Sequence, residues 1–204
     1  MHSRHWGTRG HVVDLWIAGG AGTGRRPCGG KHSPTGPKAV GHAAFSSCPG
    51  SNFFIIDRYG VNVPYADEWS NLILVEKWDA GHLTFADLFR AHNGHRIFVP
   101  RLIFLAFVEM AHGNVRAEMF FSLFICALTS AGLLYLLRRT VRTDWPRILA
   151  LWVLINVLLF SPIQAENWLW GFQFQIFLSN LCVVGALIAI TANLRAGIRL
   201  ALAA

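Results

Sequence analysis

Three apolar runs without a single charged residue dominate the C-terminal half of this chain of 204 residues. Met119–Leu137 covers nineteen residues, Ile148–Ala165 eighteen and Asn167–Leu194 twenty-eight. An apolar helix of about 20 residues crosses the hydrocarbon core of a bilayer. Few soluble cores need three such runs in succession. The pattern therefore predicts an all-α polytopic membrane protein with about three transmembrane helices, near 117–138, 146–163 and 170–193. Chemistry has to be sought where polar residues gather at the edges of those helices.

Composition agrees. Mean hydropathy is +0.40 and 53% of residues are hydrophobic, which fits a polytopic membrane chain better than a soluble domain. A net charge of +7 could point to nucleic acid, but the charge forms no single patch. Six of the eighteen basic residues precede residue 50, and Arg138, Arg139, Arg142, Arg147, Arg195 and Arg199 flank the apolar runs. The second set is what cytoplasmic loops carry, so a nucleic-acid partner is rejected. Cys126 and Cys182 lie inside apolar runs and no CxxC occurs, so neither a zinc site nor a disulfide framework is expected.

Residues 1–52 read as a disordered tail. Its first fifty residues hold eleven of the nineteen Gly and four of the eight Pro, and no apolar period is sustained. The stretch around Gly30-Lys31 imitates a phosphate loop. However, Arg25 stands where the first glycine belongs and His32 where Ser or Thr belongs. Nucleotide binding is rejected. Residues 57–116 form a polar segment with juxtamembrane helices. Trp69, Leu72 and Ile73 share helical spacing, Thr84 and Asp87 form a capping box for a helix through Phe89, and Ile97–Met110 is apolar but cut by Pro100 and Arg101. That last stretch is expected to be interfacial or re-entrant. Asn114 is placed to cap the first span, with Glu118 in its first turn.

Orientation follows from charge. The loop Arg138–Arg147 carries four arginines against Asp144 and is assigned to the cytoplasm. The turn Ser161–Trp170 and the segment 57–116 then share the opposite, extracytoplasmic face. Asp67, Glu68, His92, His95, Arg96 and Glu166 are thereby expected on one side of the membrane.

Three clusters there can carry chemistry. Asp67-Glu68 sits between aromatics, where a carboxylate can act as a general base; the same pair would also serve as N-terminal acids complementing a helix dipole. His92-Asn93-Gly94-His95-Arg96 can bind a phosphate at headgroup level, or form a solvated loop whose arginine meets anionic lipid. Its two histidines lack a third metal ligand, so no metal site is assigned. Glu166 separates two apolar runs, and on its own it marks a tight polar turn. Asn156, within the second run, is a candidate hydrogen-bonding contact between helices.

As a set, these motifs resemble the N-terminal part of the glycosyltransferase C superfamily of lipid-linked sugar transferases. The similarity is to bacterial membrane relatives of the dolichyl-phosphate-mannose mannosyltransferase and aminoarabinose-transferase type. It is carried by Val63-Pro64-Tyr65-Ala66-Asp67-Glu68-Trp69, Asp87-Leu88-Phe89, His92 through Arg101, and Glu166-Asn167-Trp168-Leu169-Trp170-Gly171-Phe172-Gln173, within residues 58–194. The resemblance implies a multi-pass protein of the bacterial inner membrane, with a polyprenyl-phosphate sugar donor and an acceptor hydroxyl on the extracytoplasmic face. It implies catalytic roles for Asp67, as base, and Glu68. His92, Asn93, His95, Arg96, Arg101 and Glu166 would contact substrate or the leaving phosphate, and no cofactor is called for. Such enzymes have a span before the position of Tyr59 and further spans beyond that of Ala204, so the chain is expected to be a fragment that is inactive as it stands. The competing expectation is a non-catalytic membrane protein, a transporter or an assembly subunit.

Overall fold

A computed structural model describes residues 49–192 except Asn93. The expected tail up to residue 48, Asn93, and the stretch carrying Arg195 and Arg199 lie outside the described residues. The described chain is all-α and holds no named strand. Residues 49–52, assigned above to the tail, instead open a helix, α1 (Pro49–Tyr59). Proline at the first helical position is preorganised for a start, and Asn52, fully buried, donates to the Phe160 carbonyl at 3.1 Å.

The polar segment folds as a chain of short helices. A 3₁₀ turn (Ala66–Asn71) runs into α2 (Leu72–Asp79), followed by α3 (Phe85–Phe89) and α4 (Phe98–Ala111). The end of α2 is a Schellman turn: Gly81 has φ 70° and the His82 N–H reaches back to the Lys77 carbonyl at 2.8 Å. The Thr84–Asp87 capping box forms as expected, with Thr84 Oγ1 accepting from the Asp87 N–H and Asp87 Oδ2 from the Thr84 N–H. Helix α4 starts over Pro100 and buries Arg101, Phe104, Leu105 and Val108, one stripe at helical spacing.

Three helical stretches are long and apolar enough to cross a membrane: Val115–Thr140, Trp145–Leu169 and Gly171–Thr191. The first is α5 (Val115–Thr140), capped by Asn114, whose Oδ1 accepts from the Arg116 N–H at 3.0 Å. Next comes α6 (Trp145–Leu159). It stops short of the expected residue 163 because the chain turns at Phe160 and Pro162 has no N–H to continue the ladder. A 3₁₀ turn (Pro162–Gln164), a short helix α7 (Ala165–Leu169) and a further 3₁₀ turn (Gly171–Gln173) lead into α8 (Phe174–Thr191).

Helix α5 is the spine, packing against α1, α6, α7 and α8. Asp57 beside Arg116 at 3.2 Å, and Phe53 beside Phe120 with rings 5.2 Å apart, show that α1 runs antiparallel to it. The densest packing lies at this end of the bundle, where Trp168 stacks between Phe160 and Phe177 and where Phe104, Phe172 and Phe174 meet. Elsewhere the spans present Leu154, Val157, Leu158, Val183 and Ile190 outward. Only 11% of the most apolar stretch of the second span is buried, which suits lipid as its solvent.

Two contacts lock the spans together. Ser130 Oγ donates to Asn156 Oδ1 at 2.7 Å, and the Trp152 indole N–H donates to the Ser130 carbonyl at 3.1 Å, as the Asn156 reading anticipated. At Gly132, an added Cβ would stand 2.6 Å from Val184 Cγ1, so α5 and α8 approach as closely as a missing side chain allows. Gly132→Leu should weaken the bundle by about 1–3 kcal/mol in SDS titration of the folded protein. Gly185→Ala, where nothing lies within 4 Å, should not; equal losses at both positions would remove the close contact from its role.

Candidate functional site

The acid pair is split by its backbone. Ala66 has φ 49°, a left-handed conformation that a residue with a Cβ adopts only under strain. From that kink, Asp67 turns outward with 49% of its side chain exposed, and Glu68 turns inward with none. The two neighbours therefore occupy different environments.

Glu68 belongs to an interior polar nest. Its Oε2 accepts the Tyr65 N–H at 3.3 Å, and the Phe172 backbone bonds to the same carboxyl. Burial pushes its pKa up to about 7, and those two backbone hydrogen bonds pull the other way. Asn71, three residues along the 3₁₀ turn and so on the same side, is 1% exposed. Glu118, in the first turn of α5, is fully buried and near enough for the two carboxyl charges to interact. The chain squeezes past it at Gly171, where a Cβ would sit 3.2 Å from Glu118 Oε2 and 2.7 Å from Val115 Cγ1. Glu68 Oε1, both Glu118 oxygens and both Asn71 amide atoms have no hydrogen-bond partner among the described residues.

Asp67 faces a separate cleft of about 380 Å³, lined among others by Ser70, Lys77, Arg90, His92 and Arg101. His92 Nε2 lies 3.6 Å from Asp67 Oδ2, and its Nδ1 lies 3.4 Å from Ser70 Oγ. The histidine is presented by a tight turn: His92 and His95 exchange backbone hydrogen bonds at 2.8 and 2.9 Å, and Gly94 takes φ 83°. Lys77 pairs with Asp87, and that ammonium, with Thr84 behind it, holds the Asp87 carboxyl down to about 2. Arg101 is buried, and its Nη1 donates to the carbonyls of Asp87, Leu88 and Arg90. It thus caps the C-terminus of α3, where the carbonyls and the helix dipole favour a cation.

Of the residues singled out in the sequence, Asp67, His92 and Arg101 come together in this cleft. Glu68 lies behind it. His95 and Arg96 are exposed and do not line it; the Arg96 guanidinium lies over the Phe89 ring, 4.8 Å from its centroid. Asn93 lies outside the described residues. Glu166 is exposed on α7 and does not line the cleft either. Its loop nevertheless meets the acid segment, because Trp170 packs edge-on against Tyr65 at 5.4 Å. Residues a hundred positions apart thus gather at one end of the bundle.

Lys77, Arg90, Asn71 and Glu118 were not singled out as site residues. For Lys77 a signal existed, since Ser70, Leu74 and Lys77 lie on one helical face. For Glu118 there was none beyond its place in a first turn. Among the described residues no group of three or more His, Cys, Asp and Glu is placed to hold a metal ion. The cleft as built offers a carboxylate paired with an imidazole, ringed by cationic side chains. Such a set can take a proton from a hydroxyl and hold an anionic group beside it.

The raised Glu68 pKa carries a sign. An unfolded glutamate ionises near 4.5 and the folded one near 7. The folded state therefore binds the proton more tightly, so this contribution is full below pH 4.5 and is lost as pH rises to about 7. Glu68→Gln should flatten that window and stabilise the protein at pH 8 by up to about 3 kcal/mol. Thermal unfolding in nanodiscs across pH 4–8 reads it; an unchanged profile removes Glu68 as the titrating group.

Compared with known proteins, the chain matches no family model, no curated protein and no solved structure.

Proposed function

We propose that this chain forms the membrane end of a transferase that moves a sugar from a polyprenyl-phosphate donor to an acceptor hydroxyl. One observation carries the reading: an exposed carboxylate, Asp67, paired with His92, shares a cleft with Lys77, Arg90 and Arg101 at one end of an apolar bundle. A donor of this kind keeps its hydrocarbon tail in lipid and its phosphate at the headgroup level. A cationic cleft at the end of the spans suits both parts.

In this reading Asp67 is the general base, taking the acceptor proton as the hydroxyl attacks the sugar. Arg90, exposed on the cleft rim, neutralises the departing lipid phosphate. Arg101 holds the cleft wall through the α3 carbonyls and adds positive charge behind it. Glu68, buried and with its pKa raised, positions the acid segment against Phe172 rather than meeting substrate. The cleft faces the extracytoplasmic side of a bacterial inner membrane, because the opposite end of the bundle carries the four arginines of the 138–147 loop.

A transporter would place polar groups along a path at the bilayer midplane. The three apolar runs hold no Asp, Glu, Lys, Arg or His, and Asn156 within them is satisfied locally, accepting from Ser130 and donating to the Trp152 carbonyl at 2.7 Å. That favours chemistry at the interface.

A photoreactive polyprenyl-phosphate sugar, added to the chain in nanodiscs, tests the donor site. Crosslinks should fall on residues around Asp67 and His92, and Arg90→Gln should weaken labelling about tenfold. Labelling concentrated around Arg138 would sink the assignment. In the full-length parent protein, Asp67→Asn should leave labelling intact and lower transfer to an added acceptor by about 10²–10⁴; unaltered transfer would take the base role from Asp67.

A further inference from the structure

The opposite end of α5 borders another cavity, of about 560 Å³, whose described lining is one face of that helix: Ala131, Leu134, Tyr135, Arg138 and Arg139. Among the described residues it shares none with the Asp67 cleft. From Glu118 to Arg138 the helix rises about 30 Å, the thickness of a hydrocarbon core. The two cavities therefore sit at the two faces of the membrane.

Both arginines in it are held in place by neighbours. The Arg138 guanidinium lies over the Trp145 ring of α6, 4.9 Å from the centroid. Arg139 Nη1 donates to the Tyr135 hydroxyl at 2.8 Å. The one acid of the connecting loop is engaged elsewhere, because Asp144 pairs with Arg147 at 3.5 Å. Arg138 and Arg139 thus have no carboxylate partner among the described residues, while the cavity wall below them is apolar. Two guanidinium groups above a greasy floor, at the depth where headgroups lie, match a molecule with a phosphate at one end and acyl chains at the other.

We propose that Arg138, Arg139 and Tyr135 form a binding site for the phosphate headgroup of an anionic phospholipid, whose acyl chains run down the Ala131–Leu134 wall of α5. The site is independent of the transferase reading and would stand without it. Trp145 is a positioning residue, fixing Arg138 across the α5–α6 connection.

The test uses the whole chain in nanodiscs made of equal parts phosphatidylcholine and phosphatidylglycerol, with retained lipid counted by native mass spectrometry. Wild type should retain phosphatidylglycerol in preference. Arg138→Gln with Arg139→Gln should lower that affinity about fivefold for each arginine removed. The charge-matched pair Arg142→Gln with Arg147→Gln, outside the cavity, should leave it nearly unchanged. Equal losses for the two pairs would show that net charge alone attracts lipid and would overturn the site. Displacement of the lipid by inorganic phosphate at equal concentration would overturn the lipid assignment. Should the cavity double variant fail to insert, Arg139→Gln alone decides, and an undiminished preference would refute the proposal.

Discussion

The seating of Gly171 and Phe172 against the first turn of α5 is the contact on which the rest of this end depends. The chain passes so close that a Cβ at Gly171 would stand 2.7 Å from Val115 Cγ1 and 3.2 Å from Glu118 Oε2. In doing so it brings the Phe172 backbone to Glu68 and the Trp170 ring to Tyr65. Those two links tie the acid segment to the spans. Shift the Gly171 turn outward and the 3₁₀ helix carrying Asp67 loses both its anchor and its direction.

That anchor is made of polar groups in a dry place. Glu68, Asn71 and Glu118 are buried, with four oxygens and one nitrogen lacking hydrogen-bond partners among the described residues. Unpaired buried polar atoms oppose folding, and the left-handed Ala66 adds backbone strain beside them. The aromatic cluster of Phe104, Phe160, Trp168, Phe172 and Phe174 supplies the offsetting apolar burial around the nest. A local structure this strained persists where packing on every side over-determines it. The result is a carboxylate held outward in a cleft by a sibling held inward.

The two ends of the bundle use charge differently. At the Asp67 end, Lys77 is paired with Asp87 and Arg101 with the carbonyls of the last turn of α3. At the other end, Arg138 lies against the Trp145 ring and Arg139 against the Tyr135 hydroxyl, with no acid opposite them among the described residues. Long stretches of uncharged helix separate these regions, so each end keeps its own electrostatics.

The spans, the capping box at Thr84, the Asn114 cap and the interhelical Asn156 were legible in the residues alone. Each follows from local hydropathy, local spacing or the chemistry of one side chain in an apolar run. The early start of α1 was less so, because it depends on where Asn52 finds a partner far along the chain. Least legible was the division of labour within the acid pair. Two adjacent carboxylates look alike in a string of letters; which one meets water is set by a positive φ at Ala66 and by a carboxyl on α5 fifty residues later. Glu118 gave no sign of that role, since a first-turn acid is ordinary and its neighbours are chosen by packing. Hydropathy and spacing act over a few residues and can be read in order, whereas burial of a charge is a property of everything that closes around it.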